Sequence, residues 1–301
     1  MSVEEVRNEG AEATEVPLLV ATTPFTAPPR RRAPIGVLLA ATWLAIVVGA
    51  AVLADVLPLE QFDTRVTNLD PKTSPGLRWP EVLGTDSFGR SVVSRAIFGA
   101  RQSLIIAGAS VLLSIGFGVL LGTIAGYLGG RTARVITLLT DATLSIPGLV
   151  TVLAIAAVGR RDVPTVTVAF AVVSLPVVTR LARAHALALA KRPSIEAATA
   201  LGATRFRIVM SEMLPDVLTR VSPLAFVLAG HVIVGSASLA FLGLGIPPPS
   251  PSWGAMINEG RRFLESDPHL VFVPAGLIFL SVVSFTVIGD HIRRRVEGSS
   301  R

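Results

Sequence analysis

The chain has 301 residues, 51% of them apolar and only 16% charged, with a formal net charge of +6. Soluble domains carry about a quarter charged residues, so the composition excludes an ordinary soluble enzyme and is too apolar for a disordered or nucleic-acid-coating protein. No cysteine is present, which removes disulfides, thiolate metal sites and cysteine nucleophiles.

Residues 1–34 carry Glu4, Glu5, Glu9, Glu12 and Glu15, then Pro24, Pro28, Pro29 and a basic run at 30–32. Acidic residues ahead of any apolar run do not read as a secretory leader. The segment reads as a disordered cytoplasmic tail ending in a basic stop. Beyond it, six runs lack Asp, Glu, Lys and Arg: 33–54, 102–130, 142–159, 163–179, 221–258 and 268–289. A helix needs about 20 apolar residues to cross a bilayer. Six transmembrane helices are therefore expected, at 35–57, 102–127, 135–158, 163–185, 218–243 and 270–290. The fold class is all-α, a polytopic membrane protein. Extending the third span takes in Asp141, and extending the fourth takes in Arg180 and Arg183, whose heads can snorkel to the interface.

The polar remainder divides into a loop at 58–101, a loop at 190–216 inside the core of 102–290, a proline-rich segment at 244–267 and a basic tail at 291–301. In the first loop, Val92, Val93, Ala96, Ile97 and Ala100 put an apolar stripe on one helical face, which suits a helix lying at the outer interface and equally a buried loop helix. With both termini inside, the inner side holds 17 basic against 11 acidic residues and the outer side 10 against 10. The positive-inside rule thus places both termini in the cytoplasm and 58–101 outside. It also gives the positive charge a membrane origin, so no nucleic-acid partner is expected.

Within the spans, Gly118, Gly122 and Gly126 recur every four residues and form a small-residue ridge for close helix packing. Pro147, Pro176 and Pro223 should kink their helices. Asp141 lies about 10 Å along its helix from Arg134 and needs a partner or an interior position. Asp141 and Pro147 are candidates for a part in gating.

Several chemistries are missing. The only lysines are Lys72 and Lys191, and no G-x-x-x-x-G-K-[ST] loop exists to grip ATP. His185, His231, His269 and His291 are scattered, with no H-E-x-x-H among them. Ser110 and His231 are conceivable partners for an intramembrane hydrolase. The plainer reading has Ser110 bonding back within its helix and His231 bonding across the bundle. A self-sufficient channel or secondary transporter would need intramembrane ion sites, and only Asp141 qualifies.

The loop at 190–216 holds Glu196-Ala197-Ala198, then Leu201-Gly202-Ala203, Arg205 and finally Leu214-Pro215. Ser194 can cap a short helix, and Glu196 favours its N-terminal end. Gly202 should end that helix, and a second should begin near Thr204. This spacing resembles the EAA loop of integral-membrane permeases in bacterial ABC importers, with Glu212 where an apolar residue is usual. Residues 83–90 (LGTDSFGR), Ser94-Arg95 and Gly99-Ala100-Arg101 are similar to the C-type permease subunits of dipeptide and oligopeptide importers. So are residues 125–130 (AGYLGG), Asp141, residues 144–147 (LSIP), residues 241–245 (FLGLG), residues 251–254 (PSWG), Glu259-Gly260-Arg261 and Gly289-Asp290. The resemblance runs from about residue 83 to 293. It departs at Ser91, Ala133, Leu138, Glu212, Asp216 and the arginines 293–295.

The resemblance implies a type I (MetI-like) permease fold in a bacterial cytoplasmic membrane. It implies a second homologous permease subunit, two ATP-binding subunits or domains and an extracytoplasmic solute-binding protein as partners. Glu196, Ala197, Ala198, Leu201, Gly202, Ala203 and Arg205 would couple the chain to the ATPases. ATP and magnesium would sit on those subunits, and no cofactor or metal is expected in this chain. The implied cargo is a dipeptide or oligopeptide, with nickel, glutathione and haem as alternatives.

Overall fold

The computed structural model describes residues 35–67, 69–77 and 81–298. The expected tail at 1–34 lies outside them. The described residues form helices and turns, with one isolated bridge between Thr85 and Ser91.

Five helices are long and apolar enough to cross a membrane, or six when one bent pair counts as a span. The first is α1, Ile35–Val52, which stops short of the expected 57. Next comes α2, Val92–Leu128. It starts ten residues ahead of the expected boundary at 102, so the stripe at 92–100 is the first part of this longer helix, and Val92, Val93, Ala96 and Ala100 are buried in the protein. Arg95 and Arg101 mask this in the sequence, but both are neutralised in place. Arg95 is bonded to Asp86 and Glu259, and Arg101 to Asp55 and the Ala51 carbonyl. Ser91 caps α2 by accepting the Ser94 N–H at 3.2 Å.

The third span is broken. Helices α3, Gly130–Leu144, and α4, Gly148–Val158, meet at a bend of 85°. Pro147 stands before α4 with extended backbone, and a residue preceding proline avoids helical dihedrals. The expected kink is therefore a full break. Asp162 caps α5, Val163–Leu189, through the Thr165 N–H at 2.9 Å. After α6, Pro193–Ala200, the chain forms α7, Arg205–Arg207, a π-helical turn, Ile208–Met213, and α8, Leu214–Phe241, in one continuous helical path. Helix α9, Trp253–Gly260, packs at the far end, and α10, His269–Gly298, closes the fold. The stretch from 291 to 298 is thus helix, where a tail is expected from sequence.

Helices α2 and α5 run parallel in the most extensive packing of the bundle. Gly118, Gly122 and Gly126 face Val178, Ala182 and Ala186 in order. A Cβ on Gly122 would lie 2.5 Å from that of Ala182, so only glycine permits this approach. One buried cluster gathers Val92, Ala96, Phe170, Ile233 and Trp253 at the end of the 53–91 loop. A second gathers Val119, Val178, Ile195, Ile208 and Met213 at the end of α6.

Candidate functional site

Helix α6 is a short knob held by one anchor. Pro193 takes the first helical position, where its missing N–H is no loss. The cap consequently falls on Arg192 and not on Ser194. Glu196 sits in the first turn, favourable for the helix dipole. Ile195 is buried and packs into the cluster with Ile208, Met213 and Val217. The rest of the knob faces outward.

Gly202 ends α6 with φ of +84°. Its N–H donates to Thr199 O, and the Ala203 N–H reaches back to Ala198 O, both at 3.0 Å. This pair of bonds is a Schellman motif, which requires the left-handed region at its glycine. Thr204 then caps the next turn by accepting the Arg207 N–H at 3.3 Å. The reversal leaves Glu196, Ala197, Gly202 and Arg205 exposed, with Ala198 and Ala203 half-buried. Leu201 is 88% exposed and Phe206 75%. Two bulky apolar side chains thus crown a polar knob. Phe206 escapes a reading of the sequence because it follows the motif; the signal is a large apolar residue between two arginines. At the base, Asp216 accepts from Arg220 at 3.3 Å and lies 3.5 Å from Arg192.

Asp141 has its partner. It accepts from Arg180 of α5 at 2.6 Å, while Arg183 donates to Thr137 at 2.7 Å. Two rungs therefore join α3 to α5 just ahead of the break at Pro147.

The family model described as binding-protein-dependent transport system inner membrane component matches residues 118–298. The chain belongs to this family. The glutathione transport system permease protein GsiD of Pectobacterium atrosepticum is 37% identical over 211 residues, 70% of each chain. The dipeptide transport system permease protein DppC of Alkalihalophilus pseudofirmus is 36% identical over 211 residues, 70% of this chain and 69% of that one. The di/tripeptide permease DppC of Pseudomonas aeruginosa is also 36% identical, over 212 residues. A solved inward-facing MetNI methionine ABC transporter superposes with a TM-score of 0.53 at 21% identity, over 67% of this chain and 95% of that one. The fold is the MetI-like type I permease fold. The protein is an integral membrane permease of an importer that works with ATP-binding and solute-binding components.

The permease brings together residues that its sequence keeps apart. Glu259 accepts from Arg90 at 2.7 Å and from Arg95 at 2.6 and 3.0 Å. Asp86 accepts from Arg90 Nε at 2.7 Å and from Arg95 at 2.5 Å. Two acids and two arginines thus neutralise one another at the head of α2, with Trp253 Nε1 donating to Ala96 O beside them at 3.0 Å. The cluster fastens the 53–91 loop and α9 to one helix end.

Ser110 and His231 do not meet. Ser110 is fully buried and donates across to Thr167 O of α5 at 2.9 Å, whereas bonding within its own helix is expected. His231 is exposed and bonds to Val227 O of its own helix at 2.8 Å, whereas a bond across the bundle is expected. The tight α2–α5 contact brings the Thr167 carbonyl within reach of Ser110 and satisfies it there. No hydrolytic pair exists between them.

Proposed function

We propose that the permease moves dipeptides or oligopeptides into the cytoplasm by alternating access, powered by ATP hydrolysed on separate subunits. The substrate class is supported by the relatives, whose names cite dipeptides, di/tripeptides and glutathione, itself a tripeptide. The assembly would hold a second homologous permease, two ATP-binding subunits carrying ATP and magnesium, and an extracytoplasmic solute-binding protein. Both termini and the 190–216 loop would face the cytoplasm, where the excess of basic residues lies.

The observation that carries the coupling role is the apolar crown on the knob. Leu201 and Phe206 are too exposed to serve this chain's own core, and exposed apolar side chains on a polar rim mark a protein contact. Glu196 and Arg205 would set the knob's charge register. Ala197 and Ala198 would allow close approach. Gly202 and Ala203 would hold the reversal. Motion of an ATPase groove would then reach α8 through the continuous helix from Arg205. The Asp141–Arg180 rung and the break at Pro147 would let α3 and α4 swing between two arrangements.

The test is ATP-dependent uptake of a labelled tripeptide by the complete transporter in proteoliposomes with its binding protein. Uptake is expected, and Leu201→Asp with Phe206→Asp should abolish it while releasing the ATPase subunits. Absence of uptake by the unaltered complex overturns the substrate reading. Intact uptake in the double variant overturns the coupling role.

A further inference from the structure

The outward faces of the spans differ in character. On α2, Gln102, Ser103, Ser110, Ser114 and Thr123 are all buried, and the exposed side is Ile105, Leu112, Leu113 and Phe117. On α5 the exposed side is Val168, Val172, Val177 and Leu187, with Arg180 neutralised by Asp141. These are faces suited to acyl chains. Helices α8 and α10 also expose apolar side chains, among them Val234, Phe272, Phe279 and Val283, but set ionisable and hydroxyl side chains between them. Arg220, Leu224, Val227, His231, Val234 and Ser238 recur at helical spacing along one stripe of α8. Ala275, Phe279, Val282, Thr286 and Arg293 do so on α10.

The two stripes border one groove. At its apolar end Val234, Ser238 and Phe241 meet Ile278, Phe279 and Val282 around a cavity of about 520 Å³. At its charged end Arg220, Leu224 and Val227 meet Arg293 and His185 around a cavity of about 370 Å³, with Asp290 and Glu297 on the rim. His231 and Thr286 lie between the cavities, both exposed. His231 sits about 15 Å along the axis from Phe241, half the thickness of a bilayer core. An ionisable side chain at that depth faces a water-filled cavity or the interior of a bundle.

We propose that the α8–α10 groove is one wall of the aqueous route for the solute, with His231 as its mid-membrane contact. The ring's chemistry follows from its one bond. Val227 O can only accept, so Nδ1 carries a proton, and Nε2 has no hydrogen-bond partner among the described residues. In the neutral imidazole Nε2 is an acceptor, and it matches the N–H donors that a peptide supplies at its amides and its terminal ammonium. At the charged end Arg220 spends only Nε on Asp216, and among the described residues its two Nη groups carry no hydrogen bond. They suit a peptide's terminal carboxylate. The peptide occupant rests on the function proposed above; the water does not.

The chain has no cysteine, so one thiol can be placed at a time. His231→Cys, Thr286→Cys and Ser238→Cys go on the groove, and Leu112→Cys goes on the apolar face of α2. Each is treated, in the complete transporter in membranes, with a charged water-soluble methanethiosulfonate, and the mass added to this chain is read. A thiol reacts as thiolate, which needs water. The groove thiols should label about tenfold or more faster than Leu112→Cys, because a charged reagent is excluded from hydrocarbon. A tripeptide should slow them. Should one variant fail to assemble, the remaining two groove positions give the same reading. Groove labelling as slow as that of Leu112→Cys overturns the proposal. Fast labelling that the tripeptide leaves unchanged keeps the aqueous wall and overturns its peptide occupant.

Discussion

Arg95 reaches Glu259 across 164 positions of chain and grips both carboxylate oxygens, at 2.6 and 3.0 Å. Its side chain is only 3% exposed. A charge so buried is tolerable because Asp86 and Glu259 accept from both of its Nη groups, while its buried Nε is left without a partner. The pair lets α2 carry a buried arginine in its first turn.

Removing one member of such a pair leaves the other buried and unpaired. Glu259→Ala should destabilise the permease by about 3 kcal/mol. Glu259→Gln, which keeps an acceptor, should cost less. Thermal unfolding of the purified complex measures both. A midpoint unchanged in Glu259→Ala would show that the cluster holds nothing together.

Gly122 and Gly116 make a matched comparison on α2. A Cβ at Gly122 would lie 2.5 Å from Thr179 O, whereas at Gly116 it meets nothing within 4 Å. Gly122→Ala should force α2 from α5 and cost about 1–3 kcal/mol, the range for overpacking. Gly116→Ala should be neutral or stabilising, since alanine is the better helix former. Equal effects in detergent unfolding would remove close approach as the reason for the ridge.

At Gly202 space is no constraint, because nothing lies within 4 Å of an added Cβ. Only the dihedral matters. Gly202→Val should weaken the reversal by about 1–3 kcal/mol of backbone strain, and Gly202→Asn should weaken it less, because asparagine tolerates the left-handed region. Coupled uptake should fall in the order glycine, asparagine, valine. Equal uptake for the three would show that the turn is not what positions the knob.

Two carboxylates, the exposed Asp55 and the half-buried Asp162, respond to acid. The Arg101 guanidinium holds Asp55 below the usual carboxylate range, and the hydrogen bonds from Thr165 do the same for Asp162. In each, folding favours the charged form. Their stabilisation is therefore complete above the ordinary value of about 3.9 and is lost as pH falls below it. Asp55→Asn with Asp162→Asn should flatten the decline in unfolding temperature below about pH 4. A decline as steep as before would assign acid sensitivity to other groups.

The spans are legible because the bilayer excludes charge, so runs without Asp, Glu, Lys and Arg announce themselves locally. The reversal at Gly202 is legible for a similar reason: its glycine, the capping Thr204 and the alanines of α6 all act within one turn of their neighbours. The boundary of α2 is not legible. Arg95 and Arg101 look like loop residues until Glu259 and Asp55 arrive from elsewhere in the chain. The break between α3 and α4 is half legible, since Pro147 announces a disruption but the bend of 85° depends on what α4 packs against.

By itself the sequence determined the membrane class, the number of apolar segments and the knob with its motif, because each rests on chemistry within one helix or one turn. Tertiary structure alone decided which charges neutralise one another, that Ser110 bonds outward to α5 while His231 bonds to its own helix, and which face of α8 stays open beside α10. Those outcomes depend on partners brought together over long stretches of chain, and no local pattern of residues encodes which helix a side chain will meet.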